Sequence, residues 1–169
     1  MIKITLPDGS VREFESGVTP FEVANSISAG LARNVLSASI NGKTVESVTP
    51  VLEDAELVLH TWDNDEGKTA FWHSSAHILA QTLEDLYPGV KLTIGPAIEN
   101  GFYYDVDTLN YVISEKDTPA IEKRFLEFAR EKAQFKMRDV SKKDALDLYK
   151  TQGNEFKVEL IENLTDGEI

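Results

Sequence analysis

The sequence predicts an α+β fold built from two consecutive segments. Short stretches of alternating apolar and polar residues, bounded by turn residues, predict strands in the first 60 residues. Beyond them, Trp72, Ala76, Leu79, Leu83 and Leu86 recur at steps of four and three, which predicts an amphipathic helix. Further strand and helix patterns follow. Together they indicate an α+β architecture in which helices cover one face of a sheet.

The first segment begins with a predicted β-hairpin. Residues 2–6 and 11–14 alternate apolar and polar on either side of the turn Pro7-Asp8-Gly9-Ser10. Thr19 and Pro20 then have the pattern of an N-cap followed by an N1 proline, and Gly30 is the expected end of that helix.

Three more strands complete the first segment. They are predicted at residues 35–40, 44–45 and 56–60, with Asn41-Gly42 as a tight turn between the first two. A hairpin, a helix and further strands within about 60 residues make a β-grasp pattern. We therefore expect a domain at residues 1–61, a polar linker at 62–68 and a second domain at 69–169.

The second segment should open with a helix that has Thr69 as its N-cap and ends at the break Pro88-Gly89. Strands are expected next, and a helix is expected from Thr118-Pro119. Ser141 with Asp144 resembles a capping box for a short helix that ends at Gly153. The predicted strands of this segment are residues 90–94, 102–106, 135–140 and 156–160.

Composition limits the classes of function. The 169 residues carry 17 Lys+Arg and 29 Asp+Glu, a formal net charge of -12, which disfavours a free-standing protein that coats DNA or RNA. The chain has no cysteine, so disulfides, thiolate zinc sites and cysteine nucleophiles are excluded within it. Its first residues show no apolar h-region, and no apolar run approaches the length of a membrane span. We expect a cytoplasmic protein without membrane contact.

The most informative local motif is His73-Ser74-Ser75-Ala76-His77 in the predicted helix. Spacing of i, i+4 places both imidazoles on one helical face, one turn apart. Imidazole titrates near neutral pH, so such a pair can shuttle protons, hold a water molecule or ligate a metal. A purely structural role for both histidines is an equally open alternative.

A metal site is the weaker hypothesis for this motif. Zinc needs three or four protein ligands, and the only other histidine is His60, in the first segment. A complete site would therefore need carboxylates such as Asp105. Ser74 stands where the zinc-protease motif HExxH has its glutamate, which argues against such a protease. We expect no bound metal in this chain.

Other candidate residues each have a structural alternative. Lys157 would be a solvated lysine on a strand, and one of Tyr103 and Tyr104 would lie in the core. Gly95 either serves the Gly-Pro turn or lets a substrate approach the backbone closely. Asp105 could act as a general base, accept a hydrogen bond from a histidine or cap a strand end.

One stretch of this acidic chain is basic. Residues 123–143 contain eight Lys/Arg and three Asp/Glu. This stretch is the best candidate for phosphate contact, although a solvated helix face explains it equally well.

Several motifs together resemble known families. The element order of residues 1–61 and the turn Leu6-Pro7-Asp8-Gly9-Ser10 resemble the TGS domain, a ubiquitin-like module. In the second segment, Phe71-Trp72 before the histidine motif, then Ile94-Gly95-Pro96 and Asn100-Gly101-Phe102-Tyr103-Tyr104-Asp105, are similar in order and spacing to bacterial threonyl-tRNA synthetases. The resemblance covers essentially all 169 residues. It identifies the chain as the N-terminal region of such an enzyme, with a TGS domain and the beginning of an editing domain.

The resemblance implies a function for the second segment, which is hydrolysis of mischarged seryl-tRNA(Thr). It implies catalytic roles for His73, His77 and Lys157, and substrate-binding roles for Gly95, Tyr104 and Asp105. It also implies tRNA(Thr) as a partner through its aminoacylated 3′ end, a homodimeric full-length enzyme and no DNA binding. ATP, magnesium and zinc belong to the aminoacylation core, which by this resemblance lies beyond residue 169.

The sequence departs from the family pattern at one point. The family has a later Cys-x-x-x-His half-site, whereas this chain has no cysteine and no histidine after His77. We therefore expect a part of a longer ligase that is by itself inactive or weakly active. A non-catalytic module that binds RNA or protein through its β-grasp segment is the alternative. A free-standing editing hydrolase is disfavoured, because it would need its whole site in one chain.

Overall fold

The fold was determined as a computed structural model, which describes residues 1–131, 133 and 139–165. The chain divides into two compact units, Met1–Trp72 and His73–Ile169. Both contain helices and strands, so the α+β class is confirmed. No helix in the described ranges is both long and apolar enough to cross a membrane.

The first unit is a β-grasp fold. A five-stranded sheet in the order β2-β1-β5-β3-β4 packs against two short helices. Only β1 and β5 are parallel neighbours. The elements are β1 (Ile2–Thr5), β2 (Val11–Phe14), α1 (Pro20–Ile27), α2 (Ala29–Asn34), β3 (Ser37–Ile40), β4 (Lys43–Val45) and β5 (Ala55–His60).

Local sequence signals explain most of these elements. Ile2, Ile4 and Leu6 alternate into the core of the unit, as the period of a half-buried strand requires. Thr19 and Glu22 form the reciprocal capping box of α1, with Pro20 in its first turn. These predictions of the hairpin and of the helix start are confirmed.

The end of α1 differs from the prediction. We expected Gly30 to terminate this helix, but α1 ends at Ile27 and Gly30 lies inside α2. Ser28 causes the break, since its extended backbone leaves the helix while its side chain accepts a hydrogen bond from the Leu31 N–H at 3.0 Å. One residue thus ends the first helix and caps the second.

The long helix α3 (Asp65–Leu86) starts earlier than predicted. Residues 65–68, expected to be part of a linker, form its first turn, and Thr69 is not its N-cap. Gly67 allows this start, because a Cβ at that position would overlap the Thr61 backbone carbonyl. The domain boundaries 1–61, 62–68 and 69–169 stay a prediction, and the compact units meet within α3 between residues 72 and 73.

Within its described residues, the second unit has two small two-stranded sheets instead of one large sheet. The predicted strand 90–94 is shortened to residues 91–92. The predicted strand 102–106 is interrupted at residues 103–105. The predicted strand 135–140 lies largely outside the described residues. The elements are β6 (Lys91–Leu92), β7 (Ala97–Ile98), β8 (Gly101–Phe102), β9 (Val106–Asp107), α4 (Thr118–Glu131), α5 (Lys142–Thr151) and α6 (Glu155–Glu162).

Residues 156–160 form a helix, so the predicted final strand is wrong. The less exposed positions of α6 and its N-cap follow helical spacing of three and four; they are Asn154 (the N-cap), Lys157, Val158 and Ile161. Two of these four residues are polar, so the apolar residues alone showed only the misleading alternation of Phe156, Val158 and Leu160.

A buried core and two sets of hydrogen bonds hold the helices of the second unit in place. The core is formed by Ala80, Leu83, Val90 and Leu92. The Arg124 guanidinium on α4 binds both carboxylate oxygens of Asp85 on α3, at 2.7 and 3.2 Å. Lys142 on α5 donates to the Glu162 and Leu164 carbonyls at the end of α6, at 3.0 and 2.7 Å.

Candidate functional site

Helix α3 places the two histidines of the motif in direct contact. The Nε2 atoms of His73 and His77 are 3.0 Å apart, and the rings meet edge to face at a centroid distance of 4.7 Å. Both side chains lie at the surface. The i, i+4 spacing therefore produces the imidazole pair that the sequence predicted.

This contact constrains the charge of the pair. A hydrogen bond between two imidazole nitrogens needs one N–H donor and one lone-pair acceptor, so at least one ring must be neutral. Burial of part of the His77 ring lowers its pKa below the ordinary 6.5, and the positive charges of His73 and Lys157 lower it further. His77 is thus neutral at physiological pH and able to accept a proton.

Lys157 belongs to this group of residues, but on a helix. It lies in the first turn of α6, where the Asn154 side chain accepts a hydrogen bond from the Lys157 N–H at 3.1 Å. Asn154 also donates to the Leu92 carbonyl at 3.3 Å, which ties the helix start to β6. Lys157 is half-buried and electrostatically coupled to His77, so the expected solvated lysine on a strand is wrong.

Two opposing influences set the charge of Lys157. Burial lowers the pKa of its ammonium group, and the Glu84 carboxylate raises it. A half-buried cation close to an imidazole can stabilise negative charge that develops on a bound carbonyl oxygen.

Gly95 and Tyr104 contact each other directly. A Cβ on residue 95 would overlap the Tyr104 ring, with Cγ only 2.9 Å away. The close approach that we considered for Gly95 therefore involves an aromatic side chain of the same chain. Tyr104 is half-buried and packs against the core of the unit, whereas Tyr103 is exposed.

The Tyr104 hydroxyl remains protonated over the physiological range. Burial raises its pKa, and Glu84 and Tyr149 raise it further. The phenol can therefore act as a neutral hydrogen-bond donor.

Asp105 directly follows Tyr104 in the chain. Its side chain is exposed, and the carboxylate has no hydrogen-bond partner within the described part of the chain. Its backbone links two segments: the N–H donates to the Ile94 carbonyl, and the carbonyl accepts from the Thr93 N–H at 3.1 Å. These backbone bonds connect residue 105 to residues 93 and 94. The three predicted roles of the Asp105 side chain stay predictions.

Glu84 and Tyr149 were missed by the sequence reasoning. Glu84 acts electrostatically on both Lys157 and Tyr104, and Tyr149 acts on Tyr104. Glu84 could have been found, because it follows His77 by seven residues and so shares its helical face. No sequence spacing links Tyr149 to the histidine motif, since Tyr149 lies on α5, a separate helix.

The third histidine has a different environment. His60 is buried in the first unit, and its Nε2 is 2.8 Å from the Ser39 hydroxyl oxygen. Within the described ranges, no three side chains of His, Asp or Glu converge as metal ligands. The histidine pair thus offers two nitrogen donors without a third ligand.

Some side chains of the basic stretch 123–143 form ion pairs or hydrogen bonds within the chain. Arg124 binds Asp85 and Glu127, and Lys142 caps α6. Lys132, Lys136 and Arg138 lie outside the described residues, so phosphate contact by this stretch stays a prediction.

Comparison with known proteins extends these observations. Residues 2–61 match the family model described as TGS domain. Over all 169 residues the chain is 62% identical to a threonine–tRNA ligase of Flavobacterium johnsoniae and 61% identical to that of Flavobacterium psychrophilum. It is 53% identical to the threonine–tRNA ligase of Bacteroides thetaiotaomicron. The match is to the N-terminal region of these ligases, and the chain spans about a quarter (26%) of their length.

Proposed function

We propose that this chain is the N-terminal part of a threonine–tRNA ligase, and that its second unit supplies half of a site that hydrolyses seryl-tRNA(Thr). The hydrogen-bonded pair His73 and His77 is the main support, because it provides a neutral imidazole at physiological pH. The high identity to ligases over the whole chain supports the protein context.

A ligase for threonine has a physical need for such a site. Serine lacks one methyl group of threonine, and a pocket gains only about 1–3 kcal/mol of discrimination from one methyl group. A second site that admits serine and sterically excludes threonine supplies the rest. In this proposal the substrate is the serine ester of the terminal ribose.

The chemistry is ester hydrolysis. A water oxygen attacks the carbonyl carbon, and the bond between that carbon and the ribose oxygen breaks. The ribose oxygen leaves with a proton, and free serine and tRNA are released. One neutral imidazole can orient the water and accept its proton, while the neighbouring imidazole donates a proton to the leaving oxygen.

Lys157 and Tyr104 assist this step in the proposal. Negative charge develops on the carbonyl oxygen during attack, and the Lys157 ammonium can stabilise it. The neutral Tyr104 hydroxyl is a suitable donor to a polar group of the substrate. Gly95 leaves room for the Tyr104 ring, so its contribution is indirect.

The remaining functions of the proposed ligase belong to the whole protein. They comprise ATP-dependent charging of tRNA(Thr) in the cytoplasm by a homodimer, with ATP, magnesium and zinc bound in an aminoacylation core. The described residues of this chain contain no cluster suited to a metal, and the editing step is not routed through one.

The test is deacylation of seryl-tRNA(Thr) by the full-length protein and by its His73→Ala and His77→Ala variants. Each substitution removes one partner of the acid–base pair and should lower the hydrolysis rate by a factor on the order of 10². Threonylation should be nearly unchanged, because that reaction takes place in another domain.

Lys116→Met is a matched surface control, and it should deacylate like the parent. Parental rates in both histidine variants would mean that the histidines are structural, and would favour the non-catalytic alternative for this unit.

A further inference from the structure

Two turns of the molecule contain an asparagine that is followed by glycine. Of the eight asparagines in the chain, only Asn41 and Asn100 have glycine as the next residue. Asn41 and Gly42 form the turn between β3 and β4, and Asn100 is the second residue of the turn between β7 and β8. Glycine has no Cβ, so its backbone nitrogen can approach the preceding side chain with little hindrance. One covalent reaction is therefore available at two places in the chain.

That reaction is intramolecular deamidation. The glycine nitrogen attacks the asparagine Cγ and loses its proton, and the bond from Cγ to Nδ2 breaks as ammonia leaves. Water then adds to one of the two carbonyl carbons of the cyclic imide and breaks the bond from that carbon to the ring nitrogen. Opening at Cγ gives aspartate, and opening at the backbone carbonyl carbon gives isoaspartate. Water is consumed and ammonia is released, and the rate depends on how easily the nitrogen reaches Cγ.

The side chain of Asn41 is held by the neighbouring strand. Its Oδ1 accepts a hydrogen bond from the Glu56 N–H at 2.9 Å, and the Asn41 N–H donates to the Glu56 carbonyl, also at 2.9 Å. The first bond fixes the orientation of the side-chain amide, so a rotation that brings Cγ towards the Gly42 nitrogen must break it. The turn also joins two strands of the five-stranded sheet. The fold therefore slows deamidation at this position.

The surroundings of Asn100 restrain its side chain less. Within the described ranges of the chain, no residue forms a hydrogen bond with this side chain. Strands β7 and β8 have two residues each and form a separate two-stranded sheet. A two-stranded hairpin is only marginally stable, so this turn opens more easily than one in a larger sheet. Both Asn41 and Asn100 are exposed, so access of water does not distinguish them.

Asn100 lies at the tip of a hairpin that contains two candidate site residues. The Asp105 N–H donates to the Ile94 carbonyl at 2.9 Å, and Gly95 contacts the Tyr104 ring, so residues 94–105 fold back on themselves. The pairing of residue 98 with residue 101 closes the tip. Isoaspartate adds one carbon to the main chain inside this tight turn and adds a negative charge. Its formation therefore changes the pairing at the tip.

We propose that Asn100 is a site of spontaneous covalent modification, at which asparagine converts to aspartate and isoaspartate, whereas Asn41 is protected by its bonds to Glu56. The reaction needs no enzyme, oxidant or cofactor. The modified fraction at residue 100 therefore increases with the age of each protein molecule.

The test compares the two positions in one sample. The folded 169-residue chain is incubated at pH 8, digested and mapped by tandem mass spectrometry, which locates each conversion of amide to acid. Isoaspartate is identified by methyl transfer from S-adenosylmethionine, with an isoaspartyl methyltransferase as the reagent. Asn100 should convert faster than Asn41 by a factor of about 2 to 10, as expected when one hydrogen bond must break before reaction.

The same chain unfolded in urea is the matched control. Both asparagines then have the same local chemistry and no fixed contacts, so their rates should become similar. Asn100→Gln lengthens the side chain by one methylene and should stop conversion at residue 100 without changing the rate at Asn41. Conversion of Asn41 as fast as that of Asn100 in the folded chain would overturn the proposal. A rate difference that persists in urea would also overturn it, since the cause would then be the neighbouring sequence and not the fold.

A second experiment asks whether the modification affects the candidate site, and it rests on the proposed function. In aged full-length protein, seryl-tRNA(Thr) deacylation should fall in proportion to the isoaspartate fraction at residue 100. The Asn100→Gln protein, aged in the same way, should keep its own starting rate. Unchanged deacylation after conversion of Asn100 would refute the effect on the site, whereas failure of the proposed function itself would appear in the unaged histidine variants.

Discussion

At the residue scale, His77 combines a surface position with a proton affinity lower than that of a free imidazole. Burial of part of the ring is the largest cause, and the charges of His73 and Lys157 add to it. Because the folded state binds this proton more weakly than the unfolded chain, folding loses stability as pH falls from 6.5 towards the lower folded pKa. Above 6.5 the group is neutral in both states and makes no such contribution.

We predict that these causes can be separated by titration. In NMR spectra of the chain, the His77 ring protons should titrate below pH 6.5. In His73→Ala and in Lys157→Met the midpoint should move upward towards 6.5, since each substitution removes one repelling charge.

Lys143→Met is the control for this titration, because it removes a positive charge from an exposed position on α5. It should leave the His77 midpoint in place. A His77 midpoint that does not respond to His73→Ala would show that the two rings do not interact in solution.

At the element scale, helix α6 shows how an N-cap fixes the position of the Lys157 side chain. Asn154 accepts from the Lys157 N–H and donates to the Leu92 carbonyl, so one amide both starts the helix and attaches it to β6. Lys142 bonds to the carbonyls at the other end. The helix is short, and these end contacts determine where Lys157 lies.

We predict that Asn154→Ala lowers the free energy of unfolding of the second unit by about 1 kcal/mol, the typical loss for an N-cap. It should also slow deacylation by the full-length protein, since the start of α6 is then less firmly attached beside the histidines. Urea unfolding followed by circular dichroism gives the first quantity.

Gln152→Ala is the matched control, because Gln152 is exposed and its backbone N–H, which the substitution keeps, donates to the Leu148 and Lys150 carbonyls. Its unfolding curve should overlay that of the parent. If Asn154→Ala unfolds like Gln152→Ala, the cap is not important for the helix.

Short-range signals allowed most elements to be predicted. The hairpin turn, the Thr19 and Ser141 caps and the Pro88-Gly89 break depend on neighbouring residues, and they are confirmed. Helix α6 was missed because its inward face includes Asn154 and Lys157. The interruption at residues 103–105 was missed because the Tyr104 ring packs against Gly95, a contact between residues nine positions apart.

The same division applies to the candidate site: short-range contacts were predictable from the sequence, and contacts between distant residues were not. The contact of His73 with His77 depends on one helical turn, so spacing alone predicted it. Glu84 lies on the same face but was overlooked, and Tyr149 joins through the packing of α5, which no local pattern reports. Asp105 was predicted from its residue type; its side chain is exposed, and its role stays a prediction.

At the scale of the whole molecule, the first compact unit spans Met1–Trp72 and so includes residues beyond position 61. Gly67 packs against the Thr61 backbone, and Trp62, Phe71 and Trp72 form a cluster of edge-to-face rings with centroids 5.1 to 5.4 Å apart. The start of α3 therefore belongs to the first compact unit. The linker at 62–68 stays a prediction.

We predict that a fragment of residues 1–72 is more stable than a fragment of residues 1–61. The longer fragment retains the aromatic cluster, and each aromatic pair contributes about 0.5–1.5 kcal/mol. Its melting temperature should be higher by roughly 5–10 °C, given the usual relation for domains of this size.

A Trp62→Ala version of the longer fragment is the control, and it should lose most of this difference. Equal melting temperatures for the two fragments would support residues 1–61 as the complete domain.

The fit of Tyr104 onto Gly95 also has an evolutionary consequence. A side chain at position 95 and an aromatic ring at position 104 cannot occupy the same space, so position 95 cannot gain a side chain while the ring is present. A lineage that lost the ring could accept alanine or serine at position 95, whereas a lineage that keeps the ring must keep glycine. The two positions should therefore covary among related sequences, and their pairing would mark which relatives have preserved this corner of the site.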